Sequence, residues 1–362
     1  MPLSNFKPEQ YADLLKNKIA AKRVMFDTFE MPEIEVFSSE PLAYRMRAEF
    51  RLWHDDKDLY YAMFKPGNPR TPYRIEHFPL GCLSIQKLMP MVLEKLKKNP
   101  ILRDRLFQVK FLSSQNGKTI ITLIYHRPLD ELWLNEATKL AACLNVQLVG
   151  RSKKQKLIIE NEYIEESLKV DGRNYCYRQY EQGFTQPNAG VNEQMISWAK
   201  RVSNDTNQDL IELYCGNGNF TIPLAENFRR VLATEVSKSS VKSANFNIKS
   251  NKATNIDIVR MSAEDIRKAL HGVREFRRLK NIVLEDFNFS TILVDPPRAG
   301  LDKLSESLVS QFKYIIYISC NPKTLRKNIE QIYKTHRINK FAFFDQFPYT
   351  DHLESGVYLE RR

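Results

Sequence analysis

The chain has 362 residues, 43% of them hydrophobic, enough to bury a sizeable core and, at ~100–200 residues per domain, to form about two domains. Lys and Arg number 55 against 43 Asp and Glu, and the net charge of +12 points to an anionic partner, with nucleic acid the first candidate. No apolar run approaches the ~18–20 residues of a membrane span, the first residues lack a signal-peptide pattern, and the five cysteines (Cys82, Cys143, Cys176, Cys215 and Cys320) are widely spaced without a C-x-x-C, against a disulfide framework, a zinc site or an iron–sulfur cluster.

In chain order, residues 8–23 read as a helix with Pro8 at its start and Tyr11, Leu14, Leu15 and Ile19 on one face. Residues 33–64 read as strands. Within them, residues 44–53 alternate long polar with apolar or small side chains, and a turn at Asp55-Asp56-Lys57-Asp58 leads into 59–64 as a hairpin. The Pro- and Gly-rich stretch 66–72 reads as a loop. Strands at 105–113 and 118–125 flank Gln115-Asn116-Gly117, and a helix at 130–143 and a strand at 157–163 complete an α+β half. From about residue 190 the pattern becomes β-α-β: helix 190–202, strand 209–214, helix 220–227, strand 230–235, helix 237–251, then strands 256–260, 291–294 and 314–318. Such alternation predicts a doubly wound, mostly parallel α/β sheet. The boundary falls in 172–190. Charge does not divide the chain, being +7 over 1–180 and +5 over 181–362.

Four motifs carry chemistry. Leu213-Tyr214-Cys215-Gly216-Asn217-Gly218-Asn219-Phe220 follows the first strand of the α/β half, where glycines at a strand-to-helix turn let a ligand approach the backbone. Glu235, 19 residues after Gly216 and at the end of the next strand, suits ribose hydroxyls. A third glycine is missing, since position 221 is Thr, so the cofactor expected contains adenosine but is not NAD. Val294-Asp295-Pro296-Pro297-Arg298 ends an apolar strand, with a proline-stiffened backbone that presents carbonyls and Asp295 to a ligand. Ser319-Cys320-Asn321-Pro322 ends another, and a thiol before a helix N-terminus is expected to have a lowered pKa. Residues 347–356 bring Asp351, His352 and Glu354 close in sequence; His352 is a base by intrinsic pKa or a solvated surface group. A cofactor fold with a cysteine and a carboxylate suggests one reaction. A thiolate adds to carbon 6 of uracil, the resulting enolate attacks an electrophilic methyl from carbon 5, and a general base then removes the carbon 5 proton.

Together, Tyr-Cys-Gly-Asn-Gly-Asn-Phe, Asp-Pro-Pro-Arg-Ala-Gly-Leu, Ser-Cys-Asn-Pro and Asp-His-Leu-Glu-Ser-Gly resemble the class I RNA uracil-5-methyltransferases, and within them the tRNA (uracil-5-) branch. Residues 44–51 and 344–350 share the likeness, so it covers nearly the whole chain. The resemblance implies a class I (Rossmann-like) methyltransferase domain over 181–362 and an N-terminal α+β RNA-binding domain over 1–180. It implies S-adenosylmethionine, bound by Gln186, Tyr214, Asn219, Glu235 and Asp295, with Cys320 as nucleophile, Glu354 as base and Arg298 steadying the enolate. The expected product is ribothymidine at uracil 54 of the tRNA T-loop, with the T-loop mimic of transfer-messenger RNA as a second substrate. Neither DNA nor a membrane is expected as a partner, and the enzyme is expected to be a cytoplasmic monomer. Ribosomal-RNA relatives often carry a cysteine-ligated cluster and an added β-barrel, which this sequence lacks.

In the first half, Arg45, Arg47 and Arg51 share a strand face by their period of two, and Phe107, Phe111, Tyr60 and Tyr61 are candidates to stack on bases. Extruding a T-loop uridine costs roughly a few kcal/mol, to be offset by such contacts. Three alternatives stay open: a ribosomal-RNA uracil-5-methyltransferase, a non-catalytic RNA-binding or RNA-folding protein, and an adenine amino-methyltransferase. The last uses Asn/Asp-Pro-Pro followed by an aromatic, where position 298 here is Arg.

Overall fold

In a computed structural model that describes residues 6–55, 58–65, 68–203 and 208–362, the chain folds as two compact units that are not consecutive halves. The first comprises chiefly Glu40–Ser167 and Arg178–Ala189. The second holds Gln10–Ser39, Leu168–Tyr177 and Gly190–Arg362. A single cut at 180 therefore misassigns the N-terminal helix and the strand after it. The reason is hydrogen bonding far along the chain: the strand Ile34–Phe37 pairs in parallel with His336–Phe344. The expected turn at Asp56-Lys57, residues 66 and 67 of the expected loop, and the chain start lie outside the described residues.

The second unit is built on an eight-stranded sheet. Its order is Ile34–Phe37, His336–Phe344, Glu354–Arg361, Tyr314–Ser319, Phe289–Val294, Asp209–Leu213, Val231–Thr234 and Ile256–Val259. All neighbours are parallel except Glu354–Arg361, which runs antiparallel to both strands beside it. The strands Asp209–Leu213 and Phe289–Val294 are buried nearly throughout, as befits strands covered on both faces. The doubly wound α/β expectation is met. Strand order reverses between Asp209–Leu213 and Phe289–Val294, which makes the carboxyl ends of those strands the binding crevice.

The first unit is a seven-stranded sheet in the order Asn68–Ile75, Asp58–Lys65, Arg47–Asp55, Leu106–Ser113, Thr119–Tyr125, Gln147–Ser152, Gln155–Ile159. The helices Leu83–Lys98 and Glu131–Leu144 bury their apolar faces against it. The hairpin Tyr163–Val170/Arg173–Tyr180 is shared between the units. Two expectations change here. Residues 68–72 are strand, not loop, because Asn68–Ile75 is an edge strand, where a proline's missing N–H costs no ladder bond. Phe111 and Tyr61 are 0% and 1% exposed and belong to the core, so neither is available to stack on a base. Among the described residues, no helix is long and apolar enough to cross a membrane.

Candidate active site

Sheet register explains why residues so distant in sequence share one site. Glu212 pairs with Ala233 on one side and Leu293 on the other; Leu293 pairs with Ile316, and Ile316 with Tyr358. Paired residues of adjacent strands point to the same face, and so do residues two apart along a strand. Glu235, Asp295 and Cys320 each follow the last residue of a strand of this sheet, and Glu354 opens the antiparallel strand, so all four stand at the same end of it. The antiparallel pair sharpens this for two of them. Ile318 opposes Gly356 and Ser319 opposes Ser355, the last pair of the ladder; Cys320 follows and Glu354 precedes that pair in the chain, and the Glu354 carboxylate acts on the Cys320 thiol.

The loop after Asp209–Leu213 is bent by three positive φ angles: Tyr214 at 62°, Gly216 at 58° and Gly218 at 86°. For Tyr214 this conformation is uncommon and is held by its surroundings. At Gly216 a Cβ would meet nothing within 4 Å, so the backbone there is open to a ligand. The Gly216 N–H donates to Glu235 Oε2 (3.1 Å), and the Ser237 N–H donates to Glu235 Oε1 (2.7 Å). Glu235 thus ties the loop to the next strand, and each oxygen keeps a further lone pair. Asn219 is fixed by a reciprocal amide pair with Asn192 (2.8 and 2.9 Å), while its carbonyl accepts from Tyr177 Oη (3.1 Å). Gln186 lies in the first unit, beside Pro187, whose carbonyl accepts from Met46 N–H.

The groups at the sheet edge are electrostatically unusual. Burial pushes Asp295 up to about 7. Burial, with Asp295 adding to it and Arg298 offsetting it, pushes Glu354 up to about 8. The Cys320 thiol is also pushed up, to about 11, by burial and then by Glu354 and Asp295, with Arg298 pulling the other way. This reverses the lowered thiol pKa expected from sequence. Asn321, not Cys320, caps the helix Pro322–Ile332 (Oδ1 accepts from Lys323 N–H, 3.1 Å), and desolvation beside carboxylates outweighs the helix terminus. Arg298 is held by its backbone: its carbonyl accepts from Asn321 Nδ2 (3.0 Å) and Thr324 Oγ1 (3.2 Å). The same turn closes at Gly300, φ 77°, where a Cβ would lie 2.5 Å from Asn328 Oδ1. The His352 side chain is exposed, and burial leads the causes that lower its pKa.

The sequence reading missed Glu212. It is 1% exposed in an apolar strand, its Oε2 has no hydrogen-bond partner, and burial pushes it up to about 8. A charged residue inside a strand buried at every position was the available signal. An open glycine backbone beside a tethered Glu235 fits a nucleoside, and buried carboxylates, one with an orphaned oxygen, fit a cationic group. The residues present therefore fit S-adenosylmethionine, a nucleoside bearing a sulfonium.

A doubly wound sheet with one antiparallel strand near its edge, and a glycine loop and Asp-Pro-Pro at its switch point, defines a Rossmann-type methyltransferase. The comparisons with known proteins narrow the class. The family model described as tRNA (Uracil-5-)-methyltransferase matches residues 10–362, and the chain belongs to that family. It is 51% identical over 361 residues to the tRNA/tmRNA (uracil-C(5))-methyltransferase of Saccharophagus degradans, covering 99% of both chains. It is 50% identical over 363 residues to the protein of the same name from Colwellia psychrerythraea, covering 99% of this chain and 100% of that one. Among solved structures, the Pyrococcus abyssi tRNA (uracil-54, C5)-methyltransferase in complex with S-adenosyl-L-homocysteine superposes with a TM-score of 0.70 at 18% identity, over 95% of this chain and 83% of that one, which shows the shared fold. The chain is accordingly an enzyme, an RNA uracil C5-methyltransferase with S-adenosylmethionine as donor. The names of these relatives carry tRNA and tmRNA and a uracil carbon, not ribosomal RNA or adenine.

Proposed function

We propose that the enzyme methylates uracil 54 in the T-loop of tRNA, and the T-loop mimic of transfer-messenger RNA, with Cys320 as nucleophile and Glu354 as general base. The observation that supports this reading is an antiparallel ladder that ends at Ser319 and Ser355, one residue short of Cys320 and one after Glu354, with the Glu354 carboxylate acting on the Cys320 thiol. The donor, when bound, supplies an electrophilic methyl group. Tyr214, Asn219, Glu235 and Asp295 hold it, with Glu235 toward the ribose and Asp295 toward the positive end. The Cys320 thiol releases its proton to water, aided by the Arg298 guanidinium, and the thiolate adds to uracil carbon 6. The C5–C6 π electrons move onto the carbon 4 oxygen, where Arg298 steadies the negative charge. The enolate electrons return through carbon 5, which would take the methyl as the donor's S–CH3 bond breaks and its electron pair stays on sulfur, leaving a neutral thioether. Glu354 then removes the carbon 5 proton, the C5–C6 double bond re-forms, and the C6–S bond breaks to return the thiolate.

The substrate assignment is supported by relatives half identical over their full length whose names carry both RNAs. Recognition of RNA fits the first unit, where exposed Arg51 stacks over Phe107 (3.9 Å to the ring centre) and Arg74 over Tyr60 (4.3 Å). Arg45 and Arg47 have other work. Arg45 Nε donates to the Arg47 carbonyl (2.8 Å), and Arg47 donates to the carbonyls of Glu181 (3.2 Å) and Gly183 (2.9 Å). The proposed Cys320 and Glu354 chemistry comes from a single chain, as a monomer requires, and five free thiols suit the reducing cytoplasm.

The test is trapping of the covalent adduct. Glu354→Gln is expected to form a methylated, denaturation-resistant protein–RNA adduct that does not resolve; absence of that adduct removes Glu354 as base. Cys320→Ala is expected to form no adduct and to release no carbon 5 hydrogen; release of that hydrogen removes Cys320 as nucleophile.

A further inference from the structure

Glu354 is the first residue of its strand, so the end of the preceding loop, residues 345–353, sets where its carboxylate points. That loop is tied by one distant side chain. An ammonium has three N–H donors, and Lys18 spends all three on the loop: Asp345 Oδ1 at 2.6 Å, the Phe347 carbonyl at 3.1 Å and the His352 carbonyl at 3.1 Å. The ties fall at both ends of the loop and between them, and the last lies two residues before Glu354. The Lys18 and Asp345 side chains are 8% and 0% exposed, so the pair is largely out of water. Ion pairs of this kind add little net stability but fix geometry, and breaking one partner is costly.

The rest of the environment backs this geometry. Asp345 Oδ2 accepts from Tyr11 Oη (2.9 Å), whose own oxygen accepts from the Ser39 N–H (2.9 Å). The Asp345 N–H donates to the Phe37 carbonyl at 3.0 Å. The Tyr11 ring packs at 5.7 Å on Tyr349, a non-glycine residue held at φ 62°, a conformation that persists only when its surroundings enforce it. Lys18 and Tyr11 both stand on the helix Tyr11–Arg23, which the sequence alone places with the RNA-binding half but which belongs to the catalytic unit.

We propose that Lys18 is a positioning residue for Glu354: it locks the loop so that the carboxylate stands ready for the carbon 5 proton. This rests on Glu354 being the base. Lys18 acts on one step, proton removal, and leaves thiolate addition and methyl transfer alone.

The test uses full-length enzyme and unmodified tRNA in single turnover, following formation and resolution of the covalent adduct separately. Lys18→Met keeps the volume and removes the charge. Adduct formation is expected within about twofold of the parent and resolution slower by about 10–100-fold, the range for misplacing a reacting group by about an ångström. Tyr11→Phe, which leaves the ion pair in place, is expected to slow resolution by about threefold or more on the same reasoning. Equal slowing of both steps, or unchanged resolution, overturns the proposal. If Lys18→Met does not fold, the split in Tyr11→Phe decides alone. Glu354→Gln runs in parallel. If it traps adduct while Lys18→Met resolves at the parent rate, only the positioning role falls; if it traps none, the base assignment itself falls.

Discussion

Resolution of the methylated adduct should titrate with Glu354. The adduct is the right species to examine, because the thiol is already spent in the C6–S bond and cannot titrate. Burial holds Glu354 at about 8, above its ordinary carboxylate value, so near neutral pH it carries a proton and cannot accept another. At pH 7 about a tenth of the carboxyl is ionised and at pH 9 about nine-tenths, since one pH unit changes the ratio tenfold. Resolution should therefore rise about tenfold from pH 7 to pH 9 and level off above. Arg298 is among the groups that lower this pKa. Arg298→Met should thus move the midpoint upward, with slower resolution at pH 7 and recovery at high pH. The assay is rapid quench of a preformed adduct into buffers from pH 6 to 9.5, scoring free methylated RNA. A flat profile, or a midpoint that moves down in Arg298→Met, refutes the reasoning. Adduct formation supplies a contrast. It depends on the Cys320 thiol, held up at about 11, and should still be climbing where resolution has levelled.

Two further outcomes follow from the same structure. Glu212 has a folded pKa of about 8 against an ordinary glutamate value of 4.5. The folded state therefore favours its protonated form, and the stability cost is absent below the lower value and complete above the upper one. The advantage of Glu212→Gln in urea unfolding should grow by about 2–3 kcal/mol between pH 6 and pH 9; a pH-independent difference excludes a raised Glu212 pKa. Arg51 is exposed and stacked on Phe107. Arg51→Ala should weaken tRNA binding and flatten its log–log salt dependence by about 0.7–0.9 for each phosphate that Arg51 neutralises, with the rate at saturating tRNA unchanged; an unaltered salt slope removes Arg51 from the RNA surface.

The α/β unit was legible because its signals are local. Apolar runs such as Leu210-Ile211 and Ile315-Ile316, separated by helical patterns and glycine turns, state a parallel sheet within short windows. The strand Asn68–Ile75 was not, because two prolines mark a turn unless one knows that the strand lies at the sheet's edge. Stacking aromatics and core aromatics look alike in sequence: Phe107 and Phe111 sit four apart, yet the first stays partly exposed beside Arg51 and the second is fully buried. Nor did the domain boundary follow from pattern, since Ile34–Phe37 finds its partner about 300 residues later and pairing at that distance leaves no local trace.

At the site, motifs named the proposed groups but misjudged the state of the thiol. The thiol at a helix start was expected to be acidic, yet three groups distant from it in sequence, Asp295, Arg298 and Glu354, set its pKa together with burial. Lys18 shows the other side of the same limit. A lysine on a helix reads as solvated, and only the folded chain brings its ammonium to Asp345, Phe347 and His352. Catalytic residues announce themselves because the chemistry restricts residue type within a short motif. The groups that hold them need only reach, and any part of the chain can supply that. Here it comes from the helix Tyr11–Arg23, so that a segment near the other end of the chain governs how well Glu354 is aimed.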